Sequence, residues 1–362
     1  MIEDNTKKTS LFDLHKSLNA KLVPFANYLM PISYPEGLQY EYDAVRNKVG
    51  MFDVSHMGQI YVEGVDAIEF LQFITVNNIE KMNIGSAQYN LICNEDGCII
   101  DDVIVYMLNK QKFLLVVNAS NILKDYKWLR NKLENFKVNI LNHSNQYSLI
   151  AVQGPKSREV LATILNNEIN LDFYTFTINK SEILISRTGY TGELGYEIIA
   201  SHERIVKIWK LLLKNSVIPC GLAVRDILRM EMKYCLYGND ISINNNPIEA
   251  GLNWVIDFCK DYYIGKSKID EIKKNGPNQK LICFIIKDKA IPRAGYKIIS
   301  DQAVIGEVTS GTFSLGLKKG IGLAYINSKY LKNNTVSIDI RNKVYEIDII
   351  KPPFIKNTSL HN

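Results

Sequence analysis

At Gly276-Pro277 the hydrophobic pattern of the chain changes its period. Beyond this point, residues 280–350 hold only short alternating runs split by turns. Val336, Ile338 and Ile340 are followed by Arg341-Asn342-Lys343 and then by Tyr345, Ile347 and Ile349. A period of two places every second side chain on one face of a strand. Short runs of this kind in series predict an all-β module, a barrel or sandwich. The change divides the chain into a region 1–276 and a C-terminal domain 277–362.

The longer region mixes helices and strands. Leu38, Tyr42, Val45 and Val49 fall on one face of a predicted helix, with Gly50 as its C-cap. Residues 87–118 read as three strands in a meander, turned at Asn94 to Gly97 and at Asn109 to Gln111. Ile122, Tyr126, Leu129 and Leu133 mark a helix. Strands are expected near 173–178, 182–187 and 195–200, a helix over 222–234 and a strand from Leu252 to Phe258. Helices and strands do not alternate strictly, which favours α+β over a doubly wound sheet.

Composition excludes several classes. With 46% hydrophobic and 22% charged residues, the 362-residue chain can build a core and is not disordered. A net charge of +5 suits an acidic partner or anionic substrate and carries no nucleic-acid signature. The longest apolar runs, such as Phe113 to Val117 and Leu281 to Ile286, are far short of the about 20 residues of a membrane span. The first ten residues resemble neither a secretory signal nor a transit peptide. Six scattered cysteines without a CxxC read as free thiols, and together these features predict a cytoplasmic protein. Five histidines with no HExxH spacing predict no metal centre. The 20 tyrosines and 13 phenylalanines can line a cavity for a flat ligand.

Two segments carry chemistry. The first is the run Cys98 to Leu108, interrupted by Asp101-Asp102. Aspartate is depleted in strands because it offers the backbone competing hydrogen bonds. Neighbouring residues point to opposite faces, so Asp102 is expected beside Ile100, Ile104 and Tyr106, and Asp101 beside Ile99, Val103 and Val105. An unpaired charge in such company costs several kcal/mol. Either one carboxylate binds a turn or an arginine while the other meets water, or one faces a ligand cavity and handles a proton there. The pattern alone does not say which.

The second is Arg187 to Glu197, RTGYTGELGYE, with glycines at 189, 192 and 195. It precedes a strand, so it lacks the helix N-terminus of a phosphate loop. It is either a tight strand connection or a place where Tyr190 and Glu197 meet a planar ligand, the glycines permitting close backbone approach. A carboxylate such as Glu197 can accept two parallel hydrogen bonds from an amidine-like edge. Arg225 and Arg229, four apart, share a helix face. They lie on a solvated surface, or Arg225 faces the same cavity as Glu197.

Taken in order, several segments resemble the T-protein family of the glycine cleavage system, the aminomethyltransferases. They are GMFDVSHMG (Gly50 to Gly58), the Asp101-Asp102 strand, VVNASN (Val116 to Asn121), QGP (Gln153 to Pro155), RTGYTGELGYE, RDILRMEMKYCLYGND (Arg225 to Asp240), NPIEAGLNWVI (Asn246 to Ile256) and TSGTFS (Thr309 to Ser314). The resemblance runs from about Ser10 to Lys356. It implies three domains in a cloverleaf around a central folate cavity, two of them α+β and ferredoxin-like, the last a β-barrel or jelly roll. It implies transfer of a one-carbon unit from the aminomethylated lipoyl arm of H-protein to tetrahydrofolate, giving 5,10-methylenetetrahydrofolate, ammonia and dihydrolipoyl H-protein. By position, Asp102 matches the family's catalytic aspartate, Glu197 the acid that holds the pterin, and Arg225 a second polar contact to folate. Met57, Tyr89, Tyr106, Asn118, Tyr190, Tyr234 and Trp254 match positions lining the cavity. The same fold carries other tetrahydrofolate-dependent demethylases, but relatives that took other substrates tend to lose the Asp-Asp pair.

Overall fold

The protein is described by a computed structural model covering residues 6–331 and 335–361. Three sheet systems make up its body. The first is a five-stranded antiparallel sheet in the spatial order Ala87–Cys93, Ile99–Asn109, Lys112–Val117, Gly58–Gly64 and Val138–Asn142. Its first three strands are the expected meander. Val103, Val105, Phe113 and Leu115 face one side and are buried under the helices Ala67–Ile74 and Ile122–Asn131. Ile104, Tyr106, Leu114 and Val116 face the other.

The second sheet has six strands, ordered Phe176–Ile178, Leu184–Ser186, Gly195–Ser201, Tyr147–Gln153, Gly50–Asp53 and Ile218–Pro219. Ile150, Val152, Tyr196 and Ile198 on one face pack with Trp209 of the helix His202–Lys214. Phe52, Val54, Leu149, Ala151 and Ile199 on the other face join Tyr106, Leu114 and Val116 in one core. The two sheets therefore share a core as well as each having its own.

The third system is a closed six-stranded barrel ordered Gln279–Ile286, Lys319–Asn327, Ala303–Ser314, Lys297–Ser300, Ser337–Ile340 and Lys343–Ile350. Gln279–Ile286 pairs on both sides and closes it. Phe284, Ile286, Ile298, Val308, Ile326 and Ile338 fill the interior, as the alternation predicts. Closure leaves no edge strand exposed.

The helix Leu222–Glu231 lies where the three systems meet. It touches the strand Tyr28–Ser33, the helix Leu38–Asn47 and two barrel strands. Val224, Ile227 and Leu228 enter the core shared by the two sheets. Glu231, at its end, is fully buried. One Glu231 oxygen accepts from Ser314 Oγ at 2.6 Å and the other from Tyr42 Oη at 2.8 Å and Arg46 Nη2 at 2.5 Å. Arg46 Nη1 also reaches Glu193 Oε1 at 2.7 Å. The C-terminal segment crosses this junction. Phe354 N donates to Glu231 O at 2.8 Å, and Ser359 donates from N and Oγ to Glu193 Oε2 at 2.8 and 2.6 Å. Among the described residues no helix is long and apolar enough to cross a membrane.

Three local expectations need correction. Gly50 does not cap the helix, which ends at Asn47; it opens a strand. It is glycine there because a Cβ would stand 2.6 Å from Val45 and 2.8 Å from the Cys220 sulfur. The run Leu252 to Phe258 is not a strand but contains the 3-10 turn Asn253–Val255. Its buried residues Leu252, Val255 and Ile256 stand three and four apart, the spacing of a helical turn rather than of a strand. Ile100 does not share a face with Asp102. A bulge opposite Ile92 and Cys93 shifts the register, and Ile100 joins Val103 and Val105 instead.

Candidate active site

Asp101 and Asp102 are neighbours on one strand, share the Asn118 amide as a donor and otherwise find different surroundings. Asp101 is fully buried and fully committed. Its Oδ1 accepts from Asn118 Nδ2 at 2.8 Å and Asn121 Nδ2 at 2.6 Å, and its Oδ2 from Asn118 N at 3.1 Å. It thus pins the segment after Lys112–Val117. Asp102 is half-buried. It accepts from Tyr89 Oη at 3.0 Å and Asn118 Nδ2 at 2.8 Å. Burial, and then the negative charge of Asp101, push its carboxyl up to about 7, against the pull of Tyr89 and Asn118. A carboxyl poised there can take or give a proton near neutrality.

The second sheet brings Glu197 to the same region. Its Oε2 accepts from Thr188 Oγ1 at 2.5 Å, while Oε1 takes no hydrogen bond among the described residues. Thr188 is held by Ser186 Oγ at 2.8 Å, and Tyr106 Oη reaches Ser186 at 3.2 Å. Tyr106 is buried, so it acts on Glu197 through this hydroxyl chain. Arg225 Nη1 is buried without a hydrogen-bond partner among the described residues. Its guanidinium lies 4.8 Å above the Tyr190 ring. Burial lowers its proton affinity, with the Glu197 charge acting in the opposite sense. An orphaned guanidinium donor beside a carboxylate with a spare oxygen is a place for a polar, flat ligand edge.

Aromatic rings enclose the region. Tyr190 stacks on Tyr234 with centroids 5.7 Å apart and donates from Oη to Cys235 O at 2.5 Å. Tyr89 stacks under Trp254 at 5.7 Å, and Trp254 is 68% exposed. The indole thus stands at the rim, directly above the tyrosine that binds Asp102. Met57 packs against the shared core beside Ile104 and Tyr106. Arg225 lies against the Tyr190 ring, the charges of Arg229, Asp102 and Arg225 all bear on Tyr190, and those of Tyr234, Glu197 and Asp102 bear on Tyr174. Two open surface clefts, of about 570 and 540 Å³, contain none of them.

Two parts of the expected pattern resolve differently. Arg225 and Arg229 diverge. Arg229 is buried and fully engaged, bound to Asp226 at 2.9 Å, Ser310 at 2.9 Å, Tyr234 O at 3.1 Å and also Asp240. It ties the helix to the barrel and fixes Tyr234. The glycines 189 and 195 make room for a protein side chain: a Cβ at either would stand 2.1 and 2.3 Å from atoms of the Gln153 amide. Gln153 is buried and donates to Thr188 O at 3.2 Å. The residues missed by pattern are Ser186, Thr188, Tyr174 and Gln153. Thr188 and Gln153 sit inside motifs already marked; Thr188 lies only nine residues from Glu197, whereas Gln153 reaches Thr188 across 35 residues.

The residues 11–260 match the family model described as the GCVT N-terminal domain, and 279–356 that of the glycine cleavage T-protein C-terminal barrel domain. An aminomethyltransferase of Halothermothrix orenii is 45% identical over 360 residues, covering 96% of this chain and 100% of that protein. One of Thermosipho melanesiensis is 43% identical, covering 97% of this chain and 98% of that protein. The crystal structure of the glycine cleavage system aminomethyltransferase T from Bartonella henselae superposes with a TM-score of 0.93 at 31% identity, covering 98% of this chain and 99% of that one. With both matched regions in order and the relatives aligned nearly end to end, the chain belongs to the glycine cleavage T-protein family of aminomethyltransferases.

Proposed function

We propose that the protein transfers the one-carbon unit of an aminomethyl group, carried on the dihydrolipoyl arm of H-protein, to tetrahydrofolate. The products are 5,10-methylenetetrahydrofolate, ammonia and dihydrolipoyl H-protein. The observation that carries this reading is the placement of Asp102, a carboxyl poised near neutrality, in one aromatic enclosure with Glu197 and Arg225.

Tetrahydrofolate supplies the nucleophilic nitrogen. Glu197, held by Thr188, takes the paired N–H donors of the pterin edge, and Arg225 offers its orphaned donor to an oxygen of the ligand. Tyr190, Tyr234, Tyr106 and Met57 shape the apolar walls, which exclude water and strengthen these contacts. Asp102, oriented by Tyr89 and Asn118, accepts the proton that the attacking nitrogen gives up. Trp254 at the rim offers an exposed aromatic face where the arm enters. The division at Gly276-Pro277 and a cytoplasmic location belong to the same proposal. The net charge of +5 suits an acidic carrier protein.

The test is ammonia release from aminomethylated, lipoylated H-protein with and without tetrahydrofolate. Release that depends on folate is expected. A protein that binds folate yet releases no ammonia from this donor uses a different methyl donor. Glu197→Ala is expected to weaken tetrahydrofolate binding by about 1.5–3 kcal/mol, the worth of a hydrogen bond to a charged group. Unchanged affinity in calorimetry removes Glu197 from the pterin contact.

A further inference from the structure

Behind Asp101 lies a third carboxyl that the reaction described above does not use. Asp125 sits in the first turn of the helix Ile122–Asn131 and is fully buried. Neither of its oxygens has a hydrogen-bond partner under ordinary geometry among the described residues. Lys124 Nζ is 3.9 Å away and gives two of its three donors to Ile100 O at 2.6 Å and Tyr237 Oη at 3.1 Å. Asp125 faces Asp101, which already receives three N–H donors and is therefore the ionised member. Two adjacent buried carboxylates cannot both carry charge without a severe electrostatic penalty. The proton must rest on the one without donors. Asn118 completes the line, because its Nδ2 touches both Asp101 Oδ1 and Asp102 Oδ1 at 2.8 Å.

We propose that Asp125 is a positioning residue for the transfer: a neutral carboxylic acid that presents its O–H to Asp101, fixes Asp101 as the single anion behind the site, and so sets the proton affinity of Asp102. The inference rests on the functional reading above for its kinetic part and on burial and geometry for the protonation itself. Burial and the charge of Asp101 drive the Asp125 carboxyl up to about 10, in the same direction.

Other groups facing Asp125 are Asp102, Lys124 and Tyr237. Those acting on Asp102 are Asp101, Asp125, Tyr89, Tyr190, Tyr174, Tyr237 and Cys235. The tyrosines and the cysteine are all pushed up and stay neutral at the pH of interest, and burial draws Lys124 down. The O–H of Asp125, given to Asp101, weakens the negative charge that Asp101 exerts on Asp102. Removing it makes Asp102 hold its proton more tightly.

Three measurements on the full-length protein test this. Infrared spectra at about pH 8.5, where Asp102 is ionised, should show the carbonyl stretch of a protonated acid in the wild type. That band should be lost in Asp125→Asn. Its absence from the wild type overturns the proposal without reference to activity. In the pH profile of folate-dependent ammonia release, Asp125→Asn should keep the midpoint of the wild type, since the amide is also a neutral donor. A shift of that midpoint to lower pH by about one unit would mean a buried negative charge had been removed, and overturns it. Asp125→Leu should move the midpoint up by about one unit; an unmoved midpoint means that Asp125 only fills space, which also overturns it. Should the leucine variant not fold, the other two measurements decide. Failure of the transfer reading itself shows separately, as wild-type protein without folate-dependent release.

Discussion

Asp102→Asn is expected to retain tetrahydrofolate binding and to lose turnover by about 10²–10⁴-fold, the range for a positioned proton-transfer group. Asparagine keeps the volume and still accepts from Tyr89 or Asn118, whereas Glu197 and Arg225 are untouched. What it lacks is a group that can take up a proton. The pH profile adds a second readout. The folded protein raises the carboxyl to about 7, so the ionised, accepting form grows as pH rises through that value. Wild-type rate should climb toward a plateau above about pH 7, and the variant should show no such limb. Stability moves the other way. A carboxyl whose affinity is raised by folding stabilises fully below its unfolded value of about 3.9, and this contribution is lost as pH rises through about 7. Above about pH 8 the asparagine variant should therefore melt at a higher temperature than the wild type. Near-wild-type turnover would remove Asp102 from the mechanism.

Arg46→Met should be the most damaging single change to stability, at about 3–5 kcal/mol. Arg46 is the one guanidinium among two buried carboxylates, Glu193 and Glu231, bound at 2.7 and 2.5 Å. Its side chain is 9% exposed, and theirs 3% and 0%. Methionine fills much of the space but strands both charges. Lysine is also expected to fail, because a single ammonium cannot present separate N–H groups to two acceptors as the planar fork does. The measurement is the midpoint of thermal or denaturant unfolding, with Ser359→Ala as a milder comparison that removes one donor to Glu193. A loss under about 1 kcal/mol for Arg46→Met would mean that water reaches the pair and screens it.

Period and punctuation made the barrel and the meander legible, because each depends on the alternation of side chains within one short segment. The faces of Asp101 and Asp102 were legible only in part. Simple alternation put Tyr106 and Asp102 together, but it could not register the bulge that turns Ile100 away. The glycine spacing of RTGYTGELGYE was visible, but not its cause, since Gln153 lies on another strand. Likewise Arg225 and Arg229 share a helix face, yet the groups that separate them, Glu197 and Ser310, come from distant segments. The site roles assigned to Asp102 and Glu197 came from the family resemblance. The residue pattern alone supplied two acids of the right chemistry without ranking them.

The clamp of the C-terminal segment on Glu193 has a consequence for the birth of the protein. Ser359 holds Glu193 in the glycine loop, and Leu360 O accepts from Arg187 at its start. These residues leave the ribosome long after the loop and both sheets. A nascent chain can assemble its sheets as they emerge, with Arg46 already at hand for Glu193 and Gln153 for Thr191, and residues 359–360 then add the last contacts to the loop that bears Tyr190 and leads to Glu197. A substitution or truncation at residues 359–360 would therefore act on the loop that leads to Glu197 from outside that loop.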